Sequence, residues 1–320
     1  MSMKIDREQV IGKFKAYTSA YDVSDEKIRL KIYHTYRVAG LCERIAKSEG
    51  MPQEEADLAW LLGMLHDIGR FEQLKRYGTF IDAESVDHAA LGADILFGGD
   101  CLRIETENQE EQSSLNFETE KQEGQGNLIS ETEKQGEQGS LNFETEKREE
   151  QSSLNFETEN VGCIREFVIE DGEDRLIEMA IRVHSAYRIP ENLDKRTEKF
   201  CHILRDADKI DILRVNVEVP LEEIYNTTTE ELRNASVTPE VEQSFYEHHA
   251  VLRSLKKTPA DHVVGHGSLV FELVFPESLR IVKQQGYLEK LLHFETENPK
   301  TREQFAGFWK EMESYLGQEG

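Results

Sequence analysis

A 13-residue repeat interrupts this chain and limits what can fold around it. Ser-Leu-Asn-Phe-Glu-Thr-Glu recurs at 114–120, 140–146 and 153–159, with a variant, Asn-Leu-Ile-Ser-Glu-Thr-Glu, at 127–133 and a relic at 102–107. The leucines fall at 102, 115, 128, 141 and 154. Self-similarity at a fixed period can signal a solenoid. Here each unit offers two clearly apolar side chains among Glu, Gln, Ser, Gly and Lys. Two are too few to offset the entropy of ordering about 13 residues. Residues 102–160 are therefore expected to form a disordered insertion, with a partner-binding or self-associating segment as the sharper alternative. The insertion holds 16 acidic and 5 basic residues, and so supplies −11 of the chain's formal charge of −25.

With the insertion set aside, the remaining chain reads as helices. Apolar residues recur at three- and four-residue spacing over 34–46, 85–97, 174–187 and 199–215, and no run alternates strictly. Pro52 suits a first helical turn, and a long apolar stretch follows to His66. The expectation is an all-α fold in which 1–101 and 161–215 form one domain around the insertion. Residues 216–320 are expected to be a C-terminal helical extension packed on the same body, with helical pattern at 241–255 and 276–294. The apolar stretch 265–275 is ambiguous between helix and strand.

Composition excludes several function classes. The net charge of −25 disfavours a nucleic acid polymer or an anionic membrane surface as partner. The longest apolar run, 59–65, is far short of the roughly 20 residues that span a bilayer. The start of the chain lacks the apolar core of a signal peptide. Four cysteines without a C-x-x-C pair suggest neither a zinc ribbon nor a disulfide framework. A reducing, cytoplasmic setting is the simplest reading. Composition leaves the oligomeric state open.

The chemistry lies on the apolar stripes. His34 shares a helical face with Val38, Leu41 and Ile45; His88 with Leu91, Gly92 and Ile95; His184 with Ile177, Ala180 and Ile181. Asp208 lies on the face of Leu204 and Asp211, and His66-Asp67 ends a helix that is apolar on nearly every side. One such histidine is usually a hydrogen-bonded core residue. Histidine or aspartate on the inner face of five helical segments is different, because unpaired groups there would cost several kcal/mol each. Convergence on a cation satisfies them together, and imidazole with carboxylate suits Fe, Mn, Co, Ni or Zn. His248, His249, His262 and His266 read as structural.

This pattern resembles the HD superfamily of metal-dependent phosphohydrolases. The resemblance runs through His34-Thr35-Tyr36-Arg37-Val38, Leu65-His66-Asp67-Ile68-Gly69 and Arg205-Asp206-Ala207-Asp208-Lys209-Ile210-Asp211. It implies that His34, His66, Asp67 and Asp208 bind one divalent metal. Two further segments, around Val86-Asp87-His88 and Ala180–His184, resemble the extra histidines of binuclear members. They imply a second ion on His88 and His184 with Asp67 bridging. The gap from His88 to His184 is 96 residues, and removing the 59 repeat residues leaves an ordinary 37.

The implied activity is attack of a metal-activated hydroxide on a phosphate ester or anhydride. The substrate would be a nucleotide or related small phosphorylated metabolite, and phosphodiesterases lie within the class. Asp67, Arg37 and Lys209 are expected to be catalytic. Arg37, one turn from His34, together with Arg70, Arg76 and Lys209, is expected to bind substrate; Lys75 reads as solvated charge. Asp211 is either an orienting partner for a ligand histidine or a capped surface acid. Two other readings stand beside this one: a mixed-valent di-iron HD oxygenase, and a non-catalytic metal-stabilised scaffold whose repeat recruits partners. A guanosine tetraphosphate hydrolase is disfavoured, because the Glu170-Asp171 pair falls before the His184 helix and not just after the His-Asp doublet.

Overall fold

Side-chain caps start several of the helices that carry the polar residues on the stripes. The computed structural model describes residues 4–98 and 164–318. The repeat, and with it the expectation of disorder, lies outside the described residues. The two described stretches belong to one compact unit.

Before the repeat run α1 (Arg7–Thr18), α2 (Glu26–Ser48), α3 (Gln53–Leu65), α4 (Ile68–Tyr77) and α5 (His88–Phe97). Asp6, Asp25 and Asp87 cap α1, α2 and α5 by accepting first-turn N–H groups. Pro52 occupies the cap position before α3. After the repeat come α6 (Ile164–Phe167), α7 (Asp174–Val183) and α8 (Lys195–Glu218), the last capped by Asp194. Every residue from 58 to 69 is buried. Thus α3 is a core helix, packed between α2 and α8, while α5 bridges α4 and α7.

Two glycines set these distances. A Cβ at Gly63 would lie 2.5 Å from the Ala39 Cα, so α2 and α3 touch through backbone. A Cβ at Gly69 would lie 2.3 Å from the His88 carbonyl oxygen and 2.6 Å from the Gly92 nitrogen, so α4 and α5 do the same. The first contact brings His34 toward His66; the second brings His88 toward Asp67.

The extension comprises α9 (Leu221–Tyr225), α10 (Thr229–Asn234), α11 (Pro239–Tyr246), α12 (Pro259–Gly267), α13 (Pro276–Gln285), α14 (Tyr287–Leu292) and α15 (Pro299–Gln318). Helices α12, α13 and α14 pack on α8, which is buried on the faces of both Leu204 and Leu213. All regular elements among the described residues are helical.

Three stretches depart from the sequence expectation. Over 241–255 the helix stops at Tyr246, because His248 takes a left-handed backbone (φ 57°), stacks on Phe271 and pairs with Glu311. The Ser268 hydroxyl then accepts the Val251 N–H, which holds the following residues away from helix. Over 276–294 the helix breaks at Gly286, whose φ of 67° is left-handed. The ambiguous 265–275 is neither one helix nor a strand: a 3-10 turn, Ser268–Glu272, follows α12. The N–H groups of Val274 and Phe275 then donate to buried Asp206. Asp206 therefore docks the extension, and burial pushes its carboxyl up to about 6.

Candidate metal centre

Asp67 sits where α3 ends and α4 begins, buried, with its two oxygens facing different histidine pairs. Oδ2 lies 3.6 Å from His34 Nε2 and 3.5 Å from His66 Nε2. Oδ1 lies 3.6 Å from His88 Nε2 and 3.8 Å from His184 Nε2. Asp208, on α8, places Oδ1 3.1 Å from His34 Nε2 and 3.8 Å from His66 Nε2. The structure thus brings together all six residues drawn from α2, the α3–α4 junction, α5, the end of α7 and α8. Two groups, His34–His66–Asp67 and Asp67–His88–His184, have ligand atoms near enough to hold an ion each, and they share Asp67.

The tautomers follow from the outer hydrogen bonds. Each Nδ1 meets an acceptor: Asp211 for His34 (2.7 Å), the Gly63 carbonyl for His66 (2.8 Å), Asp82 for His88 (2.9 Å) and the Ile181 carbonyl for His184 (2.6 Å). Backbone carbonyls and carboxylates only accept, so each Nδ1 carries a proton and each Nε2 is the ring atom turned inward. His34 and His66 then oppose Nε2 atoms at 3.3 Å, and His88 and His184 at 3.1 Å. Between His88 and His184 these are opposed lone pairs, which repel; a shared cation makes them ligands. Nitrogen and carboxylate donors without thiolate fit a divalent transition ion, so the donor set fits the metal that the sequence pattern implies.

The electrostatics agree. Burial, followed by the neighbouring His88, pushes His184 down to about 3, and burial lowers His88 too, so both rings are neutral. Burial and Lys31 push His34 downward, but the bonds to Asp208 and Asp211 outweigh them and its shift is upward. The space between His34 and Asp208 therefore favours positive charge. Burial opposes ionisation of Asp67, yet Lys31, His66 and Arg70 hold it well below the usual carboxylate range.

The cations divide into those that reach the site and those that do not. A cavity of about 590 Å³ opens on Asp67, His88, His184 and Asp208, and Lys31, Arg70 and Lys209 also line it. Arg70 bonds Asp82, Gln73 and the Phe80 carbonyl through Nη1, while its buried Nε makes no hydrogen bond and lies 3.6 Å from Asp67 Oδ1. Burial lowers Lys209 to about 8. Arg37 and Arg76 do not line the cavity, contrary to the expectation that they face substrate. Arg37 is drawn to Asp211 (2.6 Å), and Arg76 pairs with Glu72 along its own helix. Asp211 is the orienting partner of His34, clamped also by Arg214, and is no surface acid.

Three residues escaped the sequence reading. Lys31 reaches Asp67 Oδ2 at 2.7 Å; its signal was the three-residue spacing to His34, which Arg37 shares on the other side. Asp82 orients His88 from a 3-10 turn, where periodicity carries no signal. Arg205 donates to the carbonyls of Val183, His184, Ala186 and Tyr187, so it fixes the backbone that presents His184.

Comparison with known families finds the HD domain, matched over residues 32–115. That stretch includes His34, His66, Asp67 and His88; His184 and Asp208 lie beyond it and join them through the fold. No curated protein and no solved structure matches the chain.

Proposed function

From the HD domain that this chain carries, a domain of metal-dependent phosphohydrolases, we propose that the protein hydrolyses a phosphate ester or anhydride of a small metabolite. One or two divalent ions (Fe, Mn, Co, Ni or Zn) would be held by His34, His66, Asp67 and Asp208, and by Asp67, His88 and His184. The observation that carries this reading is the division of the Asp67 carboxylate between two inward-facing histidine pairs. Ions bound there would supply Lewis acidity and lower the pKa of water.

The chain's own groups support the rest of the task. Asp211 fixes the His34 tautomer, and Asp82 fixes that of His88. Lys31, Arg70 and Lys209 face the same cavity and suit the non-bridging oxygens of a phosphate, whose charge grows in the transition state. The cavity is of a size that encloses a small ligand, which favours a metabolite over a polymer. No helix among the described residues is long and apolar enough to cross a membrane.

The test is a phosphatase and phosphodiesterase screen of protein loaded with each metal in turn, run without oxygen, with a parallel run of the iron-loaded protein in air. The expected result is metal-dependent phosphate release that falls to background in His66→Ala and in Asp67→Ala. Unchanged turnover in either variant would refute the assignment, and oxygen consumption without phosphate release would replace it with an oxygenase.

A further inference from the structure

The cavity has a second wall. Residues 250–254, Lys256, Gly265, His266, Leu269 and Glu272 of the extension line it opposite no recognised motif, and none belongs to the His/Asp cluster. Lys256 lies along Gly265: a Cβ there would fall 2.8 Å from Lys256 Cδ and 3.4 Å from Nζ. The glycine therefore makes the groove in which the lysine runs. Asp261 attracts the ammonium at a distance but spends its oxygens on the N–H groups of Thr238, Lys257 and Thr258. Lys256 Nζ forms neither an ion pair nor a hydrogen bond with the described residues. A half-buried ammonium without a partner favours an incoming anion, and burial lowers this one to about 8.

Beside it, a chain of hydrogen bonds fixes the character of His266. Asn216 Nδ2 donates to the Ile212 carbonyl at 2.9 Å, which turns its Oδ1 toward Tyr225. That oxygen only accepts, so the Tyr225 hydroxyl donates to it at 2.9 Å and itself accepts from His266 Nδ1–H at 2.8 Å. The Tyr225 ring stacks on His266 and His262 and holds the imidazole in place. Burial, followed by Lys256, keeps His266 neutral, at about 3. Its Nε2 is thus a fixed acceptor next to a fixed cation.

A cation beside an acceptor matches a phosphate beside a hydroxyl. We propose that Lys256 and His266 form a second recognition pole in this cavity, where Lys256 binds a second phosphate of the substrate and His266 accepts a hydrogen bond from a neighbouring sugar hydroxyl. The substrate class is then a sugar or nucleotide carrying two separate phosphates, one at the His/Asp cluster and one at the extension. This rests on the hydrolase reading only for the group placed at the His/Asp cluster.

The experiment measures binding by calorimetry, so it does not depend on turnover. Full-length, Mn²⁺-loaded protein is titrated with adenosine 3′,5′-bisphosphate and adenosine 5′-monophosphate, then with fructose 1,6-bisphosphate and fructose 6-phosphate. At least one bisphosphate should bind ten-fold or more tightly than its monophosphate. That ratio should fall toward one in Lys256→Gln and return in Lys256→Arg. Loss of the hydroxyl preference is expected in His266→Phe, read as equal binding of adenosine 3′,5′-bisphosphate and its 2′-deoxy analogue. A wild-type ratio near one for both pairs, or a ratio that survives in a folded Lys256→Gln, overturns the proposal. A bisphosphate preference in protein that releases no phosphate across the metal and substrate screen leaves this pole standing and refutes the hydrolase reading, so the two failures are distinguishable.

Discussion

The two sides of Asp67 each carry a histidine pair on different supports, and Asp208 adds a second carboxylate on the His34–His66 side. On the His34–His66 side, helices of 23, 13 and 24 residues cross in the core, and Asp211 behind His34 is fully buried between Arg37 and Arg214. On the other side, His88 opens a 10-residue helix and leans on Asp82, which belongs to a three-residue 3-10 turn and also serves Arg70 and Gln73. His184 sits just past the end of α7, its backbone held by Arg205. A side with one carboxylate more and a more deeply buried support should hold an ion more tightly. The comparison teaches that the donor list gives the chemistry, while the outer hydrogen bonds set how firmly each half is assembled.

Removing a ligand from one side breaks the comparison most severely. His88→Ala should lower metal content by about one ion per chain and keep the other, as read by elemental analysis after dialysis; His34→Ala should take away the tighter ion. Equal residual content at the same free-metal concentration would show that the halves do not differ.

Outer-partner variants sharpen it. Asp211→Asn should reduce metal affinity or activity by about 10- to 100-fold, because His34 keeps only a neutral acceptor and two arginines lose their counter-charge. Asp82→Asn should act on the His88 side alone, seen as loss of the weaker ion in a metal titration. If both variants weaken the same ion, the assignment of partners to sides is wrong.

The smallest effects come from the backbone contacts. Gly69→Ala inserts a methyl where α4 and α5 touch, and overpacking of this kind costs about 1–3 kcal/mol. It should lower the unfolding midpoint and loosen the His88 side first. Gly63→Ala should do the same between α2 and α3. A melting temperature equal to that of the parent in both would mean that these helix spacings are soft.

The sequence showed the parts of this arrangement that periodicity can carry. His34, His88, His184 and Asp208 stand out because a polar residue on an apolar helical stripe is costly without a partner. The all-helical fold was legible for the same reason. Lys31 and Arg37 lie one turn either side of His34, so spacing alone does not choose between them. The choice is made by Asp211, which arrives from α8 and captures Arg37. Asp82 sits in a turn that has no period, and the wall made by Lys256 and His266 depends on a break at His248 that no apolar pattern announces. Long-range pairing and local backbone exceptions are where one-dimensional reading stops.

The central claim is that one carboxylate is shared by two ion positions, and metal content under saturating divalent ion followed by dialysis tests it directly. The account predicts two transition ions per chain in the parent protein and essentially none in Asp67→Ala with the fold intact by circular dichroism. Two ions retained by a folded Asp67→Ala would contradict it.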